Sequence, residues 1–486
     1  MMILVLFPHQ LNDAYTNIIK NNLLDQVYIL DTDEQYKRFN YHKKRILLHK
    51  SCIYHFIEEK KSNYPNIKAL TKSTIHEALC EFNRISIYTP TDKADKKALE
   101  NLDNIDYLTD PLFLISEEEW KAGVLSKPWK MDKLYRYLRQ KKNILMNNNK
   151  PIGGKYSYDS ENRKPYSKNI KFIDAYSCKM DDLSLRIANK IETDFPNNPG
   201  STKDFDYPIN RFNALKCLDH FIENRLETFG EHQDVMIINN PKMSHSMLSS
   251  SINMGLLSPE EVIYKAEKVY YEKNIRLSSV EGFIRQILGW REYIRGMYLL
   301  IDDYENKNIF NHSKDLPAFF WTGNTKLNCL SETISETIKN SYNHHIQRLM
   351  ILSNFANLVN VEPLQLRNWF NEMYIDSFDW VVTPNVLGMG LYSDGGIMST
   401  KPYISSGSYI NKMSNYCDNC FYDPKIKIGP RACPFNNLYW NFINDKKENL
   451  KNNPRMRMMN ATFNKFDDKI KRNHIDSSNK FIKNLK

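Results

Sequence analysis

The sequence has no feature that would place it in a membrane or in an oxidising compartment. None of its apolar runs reaches the roughly 18 residues that a transmembrane helix needs, so we expect no membrane partner. The apolar segment 1–7 has no basic n-region and no small-residue cleavage site, unlike a secretory signal. Eight cysteines in 486 residues are too few for a disulfide scaffold. We therefore expect a protein of the reducing cytoplasm.

Glycine is scarce, with only 16 residues in the whole chain. No Gly-x-Gly-x-x-Gly motif follows the first predicted strand, which argues against a standard dinucleotide site there. Pro8-His9-Gln10-Leu11 stands where such a ligand would bind, and we interpret this segment as a polar turn after a strand.

The chain does have length, an ordinary composition and an excess of positive charge. Its 486 residues are enough for two or more domains, and 41% apolar with 26% charged residues are typical of a globular protein. Lysine and arginine outnumber aspartate and glutamate by 67 to 57, and the net charge of +10 favours a polyanionic partner such as DNA. The basic tail from Lys446 either contacts DNA or stays solvated.

Residues 1–120 alternate short apolar runs with helical patterns. A fully apolar run that ends at a proline is typical of a central parallel strand. The predicted strands are residues 2–7, 27–30, 45–48 and 85–88, and the helical patterns include 13–25 and 52–61. Such alternation predicts a doubly wound α/β domain with a parallel sheet, which binds ligands at the carboxyl ends of its strands.

Residues 121–205 have the composition of a connector, and residues 206–486 that of an all-helical domain. Strand patterns are absent from this last part, where apolar residues recur at helical spacing. One helix is predicted over 211–229, with Gly230 as its C-cap. Ser278-Ser279-Val280-Glu281 has the pattern of a capping box and predicts the start of another helix.

Four cysteines in the second half form a candidate metal site. Cys417, Cys420 and Cys433 lie close in sequence, Pro434 follows the third, and Cys329 lies far upstream. A zinc site usually takes two Cys-x-x-Cys pairs, and this chain has one. Iron–sulfur sites accept isolated cysteines and a proline after a ligand. The spacing leaves an iron–sulfur cluster, zinc and no metal open, because a lone cysteine on a helix is often a core residue.

Three further segments carry polar groups suited to binding or catalysis. His245-Ser246-Met247-Leu248-Ser249 offers hydroxyls and amides for a phosphate, although serines also cap helices. Trp290 and Gln286 share a predicted helix, where they either bind a planar ligand or belong to the hydrophobic core and its surface. His345 and Arg348 share one helical face, where a proton donor and a cation would meet.

These segments, in this order, resemble the photolyase and cryptochrome superfamily, over nearly the whole chain and most strongly over residues 205–460. The resemblance implies an α/β antenna domain at 1–120, a connector at 121–205 and a helical FAD-binding domain at 206–486. The cysteines resemble those of the iron–sulfur bacterial branch. That likeness implies a [4Fe–4S] cluster on Cys329, Cys417, Cys420 and Cys433.

The resemblance also implies light-driven repair of (6-4) photoproducts in UV-damaged DNA by an electron from reduced FAD, in a protein that we expect to be a monomer. His345 matches a histidine that donates a proton, and Trp369 and Trp321 match tryptophans that rereduce the flavin. Gln286, Trp290 and His345 are implied to contact DNA. The residues implied to bind FAD are His232, His245, Ser246, Met247, Leu248, Ser249, Arg291, Arg348, Asp376 and Val382.

Three positions depart from the pattern of the family. Val382 stands where relatives place a polar residue facing flavin N5, and Phe370 stands where a relative uses tyrosine. The first strand ends in Pro8-His9-Gln10 and not in a turn of small residues. The resemblance nevertheless implies a 6,7-dimethyl-8-ribityllumazine antenna at that turn.

Two other functions fit the same residues. A blue-light cryptochrome without repair activity would need the same pocket and cofactors. A zinc-stabilised nucleic-acid-binding protein would use Cys417, Cys420 and Cys433 as a structural knuckle.

Overall fold

The computed structural model describes residues 2–16 and 24–485. Within these residues the N-terminal part forms a five-stranded parallel sheet of order β3-β2-β1-β4-β5. The strands are β1 Met2–Leu6, β2 Leu24–Leu30, β3 Lys68–Leu70, β4 Ile85–Tyr88 and β5 Ile105–Leu108. All strands run in the same direction, but the strand order proceeds toward one edge from β1 to β3 and toward the other edge from β4 to β5. The position between β1 and β4 is therefore the switch point at which doubly wound sheets bind ligands. The predicted α/β class is confirmed.

Strand β1 is apolar along its length because helices cover both faces of the sheet. Leu4 and Leu6 lie in a core that continues into the helical part of the chain, whereas Val5 and Phe7 lie in a separate core on the other face. Val5 pairs with Tyr28 of β2 and with Ile87 of β4. The strand is therefore buried on two sides, as its uninterrupted apolar run predicts.

Residues 45–48, which the sequence pattern predicts as a strand, are helical instead. The helices of this part are α1 Asp13–Thr16, α2 Asp33–Lys37, α3 Lys43–Lys60, α4 Ile75–Leu79, α5 Lys93–Leu99 and α6 Glu117–Lys121. Helix α3 is capped by His42, whose Nδ1 accepts from the Lys44 amide at 3.1 Å. Its first turns are buried all round, so their apolar run imitates a strand. Of the predicted helix 13–25, the part after Thr16 lies outside the described residues.

The connector contains two helices and a small hairpin. These elements are α7 Met131–Lys142, β6 Met146–Asn147, β7 Lys150–Pro151 and α8 Asp182–Asp194. Helix α8 packs against α3 of the sheet domain. The connector thus closes against both parts of the protein.

The remaining chain is helical in the described residues, as predicted, apart from isolated bridges. The α-helices are α9 Arg211–Asn224, α10 Leu226–His232, α11 Ser249–Asn253, α12 Pro259–Lys273, α13 Leu277–Ile284, α14 Glu292–Leu300, α15 Asn328–Asn340, α16 Asn354–Leu358, α17 Pro363–Met373, α18 Asp379–Thr383, α19 Gly407–Met413, α20 Pro434–Asp445, α21 Lys447–Leu450, α22 Arg457–Asn464 and α23 Asp468–Lys483. No helix of residues 2–16 and 24–485 is long and apolar enough to cross a bilayer.

Two predicted helix ends in this part are wrong. The helix predicted over 211–229 breaks at Arg225, and Gly230 lies inside α10, where a Cβ would approach Asn162 Oδ1 to 2.5 Å. That glycine serves close packing and not capping. Helix α13 begins at Leu277, so the predicted capping box does not form. Its Glu281 is buried and instead accepts from the Tyr135 hydroxyl at 2.9 Å.

Three π-helical segments interrupt the regular helices of the described chain, and they carry predicted site residues. They are Arg285–Arg291, Gln347–Ser353 and Pro384–Gly390. The first includes Trp290, and the second includes Arg348. Such segments widen a helix locally and are frequent at functional sites.

Candidate active site

The centre of the candidate site is a buried ion pair between Arg348 and Asp376. Arg348 Nη1 donates to Asp376 Oδ1 at 3.0 Å, and Nη2 donates to Oδ2 at 3.3 Å. Its Nε donates to the Asn343 carbonyl at 2.8 Å, and the guanidinium lies 3.9 Å from the Tyr374 ring centroid. Burial opposes the charge of Arg348, but the Asp376 carboxylate outweighs burial and raises the pKa of the guanidinium. The predicted orientation of Arg348 by Asp376 agrees with this geometry.

The serine segment converges on the same carboxylate. Ser249 Oγ donates to Asp376 Oδ2 at 2.7 Å, and Asn253 Nδ2 donates to the Asp376 carbonyl at 3.1 Å. Within the described part of the chain, the buried Oγ atoms of Ser250 and Ser251 have no hydrogen-bond partner. A buried hydroxyl without a partner costs free energy, so these two groups are suited to a polar ligand.

A small cleft opens beside this segment. Ser246 and Met247 line it on one side, and Lys242 and Arg225 contribute cationic side chains. Arg225 is held in place because Nε and Nη2 donate to the Met243 carbonyl at 3.2 and 2.6 Å. The cleft therefore holds the Ser246 hydroxyl and two cations, of which Lys242 is paired with Asp206 of the same lining and Arg225 donates to backbone carbonyls.

Three histidines cluster near the ion pair, and their surroundings differ. The rings of His245 and His344 stack at 4.5 Å, and the ring of His345 lies 5.6 Å from that of His245. Burial lowers the pKa of His245 and of His344 well below the usual value, which keeps both rings neutral. The His345 side chain is 50% exposed, and its Nε2 lies 3.5 Å from Asp234 Oδ1. Of the three, His345 is the ring that solvent can reprotonate.

The structure places His232 at the end of α10, beside the connector. Its ring centroid lies 5.9 Å from that of Phe172, and burial lowers its pKa. No contact with the Arg348–Asp376 pair is recorded for His232 in the described residues. Its role in binding FAD stays a prediction.

Trp290, Gln286 and Arg291 share one π-helical segment but point to different surroundings. Trp290 is half-buried with its ring 6.1 Å from Tyr293, and Gln286 Nε2 donates to the Gly282 carbonyl at 2.7 Å. Arg291 turns toward the sheet domain, where its guanidinium lies 4.3 Å from the Phe113 ring centroid. Arg291 therefore contributes to the contact between the two parts of the protein. Its predicted FAD contact stays a prediction.

Of the two predicted tryptophans, Trp369 contacts the rings of Phe320 and Tyr374, and Trp321 adjoins them as the chain neighbour of Phe320. Trp369 is buried, its Nε1 donates to the Phe320 carbonyl at 3.1 Å, and its ring centroid lies 5.9 Å from that of Tyr374. Trp321 follows Phe320 directly and is 43% exposed. Because Tyr374 also contacts Arg348, aromatic rings connect solvent with the centre of the site.

Val382 is buried in the second helical core, and its amide donates to the Phe378 carbonyl at 2.8 Å. Its side chain can form no hydrogen bond, and it lies among other apolar side chains.

The four cysteines come together from three elements. Burial raises the pKa of the Cys329 thiol, and the nearby Cys433, Cys417 and Cys420 raise it further. Burial also raises the pKa values of Cys417 and Cys433 to about 12. At Gly407, a Cβ would lie 2.8 Å from Cys433 Sγ, so a larger residue there would crowd that sulfur. Four thiols gathered in one place suit a metal, because a bound metal stabilises the thiolate form that these raised pKa values otherwise disfavour.

The carboxyl end of β1 lies against the helical part. At Gly255, a Cβ would lie 2.9 Å from the Leu11 amide nitrogen and 3.0 Å from the His9 carbonyl oxygen. The predicted polar turn is confirmed, since Gln10 Oε1 accepts from the Phe7 amide at 2.9 Å. A small neighbouring cleft is lined by Leu11, Asn12, Asp13, Cys52, Phe56, Glu59, Lys60, Asn210, Arg211 and Leu256.

Sequence reasoning missed Asp234 and Tyr374, although both contact predicted site residues. Asp234 follows α10 and meets His345, while Tyr374 follows α17 and covers the Arg348 guanidinium. Neither residue belongs to a local sequence motif that would indicate which residue it contacts. For Tyr374 the signal was its position two residues before Asp376.

Comparison with known proteins identifies the family. A sequence model described as deoxyribodipyrimidine photo-lyase-related protein matches residues 4–207. The chain is 37% identical over 482 residues to the (6-4) photolyase of Agrobacterium fabrum, with 95% of each chain covered. The chain belongs to the photolyase and cryptochrome family.

Other relatives cover shorter stretches or show the fold alone. An uncharacterized protein of Acanthamoeba polyphaga mimivirus is 43% identical over 94 residues, which is 19% of this chain and 69% of that protein. A bacterial class III photolyase from Agrobacterium tumefaciens has a TM-score of 0.56 at 14% identity, covering 82% of this chain and 81% of its own. A Synechocystis cryptochrome has a TM-score of 0.55 at 14% identity, with 80% and 82% covered. The predicted photolyase fold is confirmed.

Proposed function

We propose that this protein uses light and reduced FAD to repair (6-4) photoproducts in UV-damaged DNA. The observation that carries the proposal is the convergence of Arg348 and Ser249 on Asp376, close to the half-exposed His345. The relative that matches 95% of the chain bears the name (6-4) photolyase. The net charge of +10 suits a DNA substrate.

The residues of the site fit a flavin dinucleotide. The unpartnered hydroxyls of Ser250 and Ser251 and the cationic Lys242 and Arg225 suit its phosphates. Arg348, fixed by Asp376, would hold the flavin ring. When bound, reduced FAD supplies the light-excited electron. The protein's own task is to hold the cofactor close to a lesion that is flipped out of the duplex. Flipping costs least free energy where the bases are already unstacked.

His345 supplies the proton in this proposal. Its two neighbouring histidines are buried and neutral, whereas the His345 side chain is half-exposed and faces Asp234. Trp290 and Gln286 lie partly exposed and would contact the DNA around the lesion. Trp321 and Trp369 would pass electrons inward from the surface, through the aromatic contacts at Phe320 and Tyr374.

We propose a [4Fe–4S] cluster for the cysteines in preference to zinc. Tetrahedral zinc with bonds of about 2.3 Å requires sulfurs about 3.8 Å apart. Among the described residues, no three of the four cysteine sulfurs lie within 4.8 Å of one another. A [4Fe–4S] cluster takes four cysteine ligands, and Cys329, Cys417, Cys420 and Cys433 supply that number.

We extend the proposal to the domain boundaries and to the antenna chromophore. Residues 1–120 would form the antenna domain, 121–205 the connector and 206–486 the FAD domain of a cytoplasmic monomer. A 6,7-dimethyl-8-ribityllumazine would bind at the turn after β1, where a doubly wound sheet offers the carboxyl ends of its strands.

The test is photorepair of two DNA oligomers, one with a (6-4) lesion and one with a cyclobutane dimer. We expect purified protein to restore the (6-4) oligomer under blue light and not in the dark, and to leave the dimer unrepaired. A His345→Ala variant should keep its FAD and lose repair. Full FAD binding without repair of either lesion would instead identify a cryptochrome.

A further inference from the structure

Two buried cysteines that belong neither to the candidate active site nor to the four-cysteine group lie in contact with each other. The sulfurs of Cys178 and Cys217 are 3.7 Å apart, and the two residues are 5% and 7% exposed. Both thiols are free. A disulfide bond holds its sulfurs about 2.05 Å apart, so a small shift of the side chains separates this contact from a covalent bond.

The two cysteines belong to parts of the chain that pack side by side. Cys217 lies within α9, whereas Cys178 lies 39 positions earlier, in an irregular segment of the connector. The Cys178 amide donates to the Asp206 carbonyl at 3.1 Å. The Tyr176 ring lies 6.0 Å from that of His220, which is about one helical turn after Cys217. The connector segment therefore follows α9, and its irregular backbone can shift toward the helix without breaking a helical turn.

Cys217 also lines the small cleft beside the serine segment. Ser246 and Met247 belong to the same lining, and so does Tyr176 of the connector. The cleft has room for a molecule the size of water, and hydrogen peroxide is little larger. A bond between Cys178 and Cys217 would tie the connector wall of this cleft to its α9 wall.

The electrostatic surroundings make Cys178 the more reactive of the two thiols. A hydrogen bond from the Cys217 thiol lowers the pKa of Cys178, against the effects of burial and of Asp206. The cations of Lys242 and Lys216 lower it further. The same hydrogen bond, followed by burial, raises the pKa of Cys217. Since the thiolate is the nucleophilic form of cysteine, Cys178 is expected to react first.

We propose that Cys178 and Cys217 are a redox pair, which a peroxide converts to a disulfide that ties the connector to α9 beside the serine segment. This inference goes beyond the proposed function, because no step of repair uses these two thiols. Dithiols reverse the bond by thiol–disulfide exchange, so the link forms under oxidative conditions and is lost when they end.

The oxidation takes two steps. In the first, the Cys178 sulfur attacks one peroxide oxygen, the O–O bond breaks, and a sulfenic acid and one water are formed. In the second, the Cys217 sulfur attacks the Cys178 sulfur, the S–O bond breaks, and the hydroxide leaves as water with the Cys217 proton. The two thiols together lose two electrons and two protons, and the peroxide is reduced to two waters.

Peptide mapping of the purified holoprotein tests the link directly. Trypsin cleaves after lysine and arginine, so Cys178 falls in peptide 172–179 and Cys217 in peptide 217–225. After a short treatment with hydrogen peroxide and blocking of free thiols, we expect these two peptides as one linked species, lighter than their sum by two hydrogens. Dithiothreitol should separate them. Recovery of the two peptides only as unlinked species after peroxide treatment would overturn the proposal.

Urea unfolding tests what the link does to the protein. A bond between residues 39 positions apart restricts the unfolded chain, so peroxide should raise the urea midpoint of the wild type and not that of Cys178→Ser. Oxidation of the other cysteines affects both proteins alike. Cys80→Ser, at an exposed thiol of the sheet domain, is the matched control and should behave as the wild type. Equal responses of the wild type and Cys178→Ser would contradict the proposed tie.

The test does not depend on the variants or on repair. Should Cys178→Ser not fold, Cys217→Ser takes its place in the urea experiment, and the peptide map needs only the wild type. Neither measurement uses light or damaged DNA, so a failure of this inference leaves the proposed function untouched.

Discussion

Asp376 is the residue on which the site depends most, because it accepts from two side chains at once. Arg348 and Ser249 both donate to it, and Arg348 is otherwise bound through Asn343 and Tyr374. A guanidinium in such a place is stable only while a carboxylate faces it.

Asp376→Asn should weaken both the fold and cofactor binding. The variant leaves Arg348 without its counter-ion, which costs about 3 kcal/mol for a largely buried pair. We expect a lower free energy of unfolding in urea and a smaller ratio of flavin to protein absorbance. Asp106→Asn is the control, since its ion pair with Arg84 lies at the surface. Equal flavin content in the variant and the wild type would contradict the assigned role.

Residues of the site could be predicted from the sequence where they belong to a local motif. His345 and Arg348 share a helical face, and Ser249 lies in a serine-rich segment, so residue spacing was informative. Asp234 and His345 meet only through the packing of α10 against the histidine segment. The periodicity of the sequence gives no information on such a contact. For the same reason, the sequence did not indicate that the Arg291 side chain points toward Phe113.

At the scale of elements, a fully apolar run does not by itself distinguish a buried strand from a buried helix. Strand β1 was recognisable because a proline ended its run. The start of α3 was taken for a strand because it is buried on every side. The edge strands β3 and β5 are short and partly exposed, so their sequences gave no signal.

The contact between α5 and α18 should make stability depend on pH. Asp92 accepts from the amides of Trp380 at 2.8 Å and Asp379 at 3.3 Å. Burial, followed by the charges of Asp379 and Asp95, raises the pKa of Asp92 to about 7. An unfolded aspartate titrates near pH ~3.9. Between these two pH values, Asp92 is protonated in the folded state and ionised in the unfolded state. The free energy that this protonation contributes to stability is therefore lost as pH rises toward 7.

Asp92→Asn should remove that slope. We expect the wild type to lose free energy of unfolding between about pH 4 and pH 7 relative to the variant, measured by urea titration at several pH values. Glu100→Gln, an exposed carboxylate at the other end of α5, should keep the wild-type slope. Parallel curves for wild type and Asp92→Asn would show that Asp92 does not titrate in this range.

At the scale of the whole molecule, the sheet domain and the helical part share one hydrophobic core, and the cysteines lie in another. The parallel class of the sheet was predictable, since chains that alternate strands and helices form parallel sheets. The way in which the helical part closes over the end of β1 was not predictable, because it depends on a close approach at Gly255.

Cys420→Ser should remove the cluster and destabilise the second core. Metal binding to cysteines contributes directly to folding free energy, so one lost ligand affects α15, the loop around Cys417 and α20 together. We expect about four irons per chain in the wild type, as for a four-cysteine cubane, and few in the variant. Cys80→Ser, an exposed thiol elsewhere, is the control. A single zinc in the wild type would support the nucleic-acid-binding alternative.

The most direct test of the account is an action spectrum, in which the rate of (6-4) repair is measured at a series of wavelengths with the purified, reduced protein. The account predicts no repair in the dark and a rate that follows the summed absorption of bound reduced FAD and the bound antenna, in the wild type and not in His345→Ala. A colourless protein, or repair that is independent of wavelength, would contradict light-driven repair by this chain.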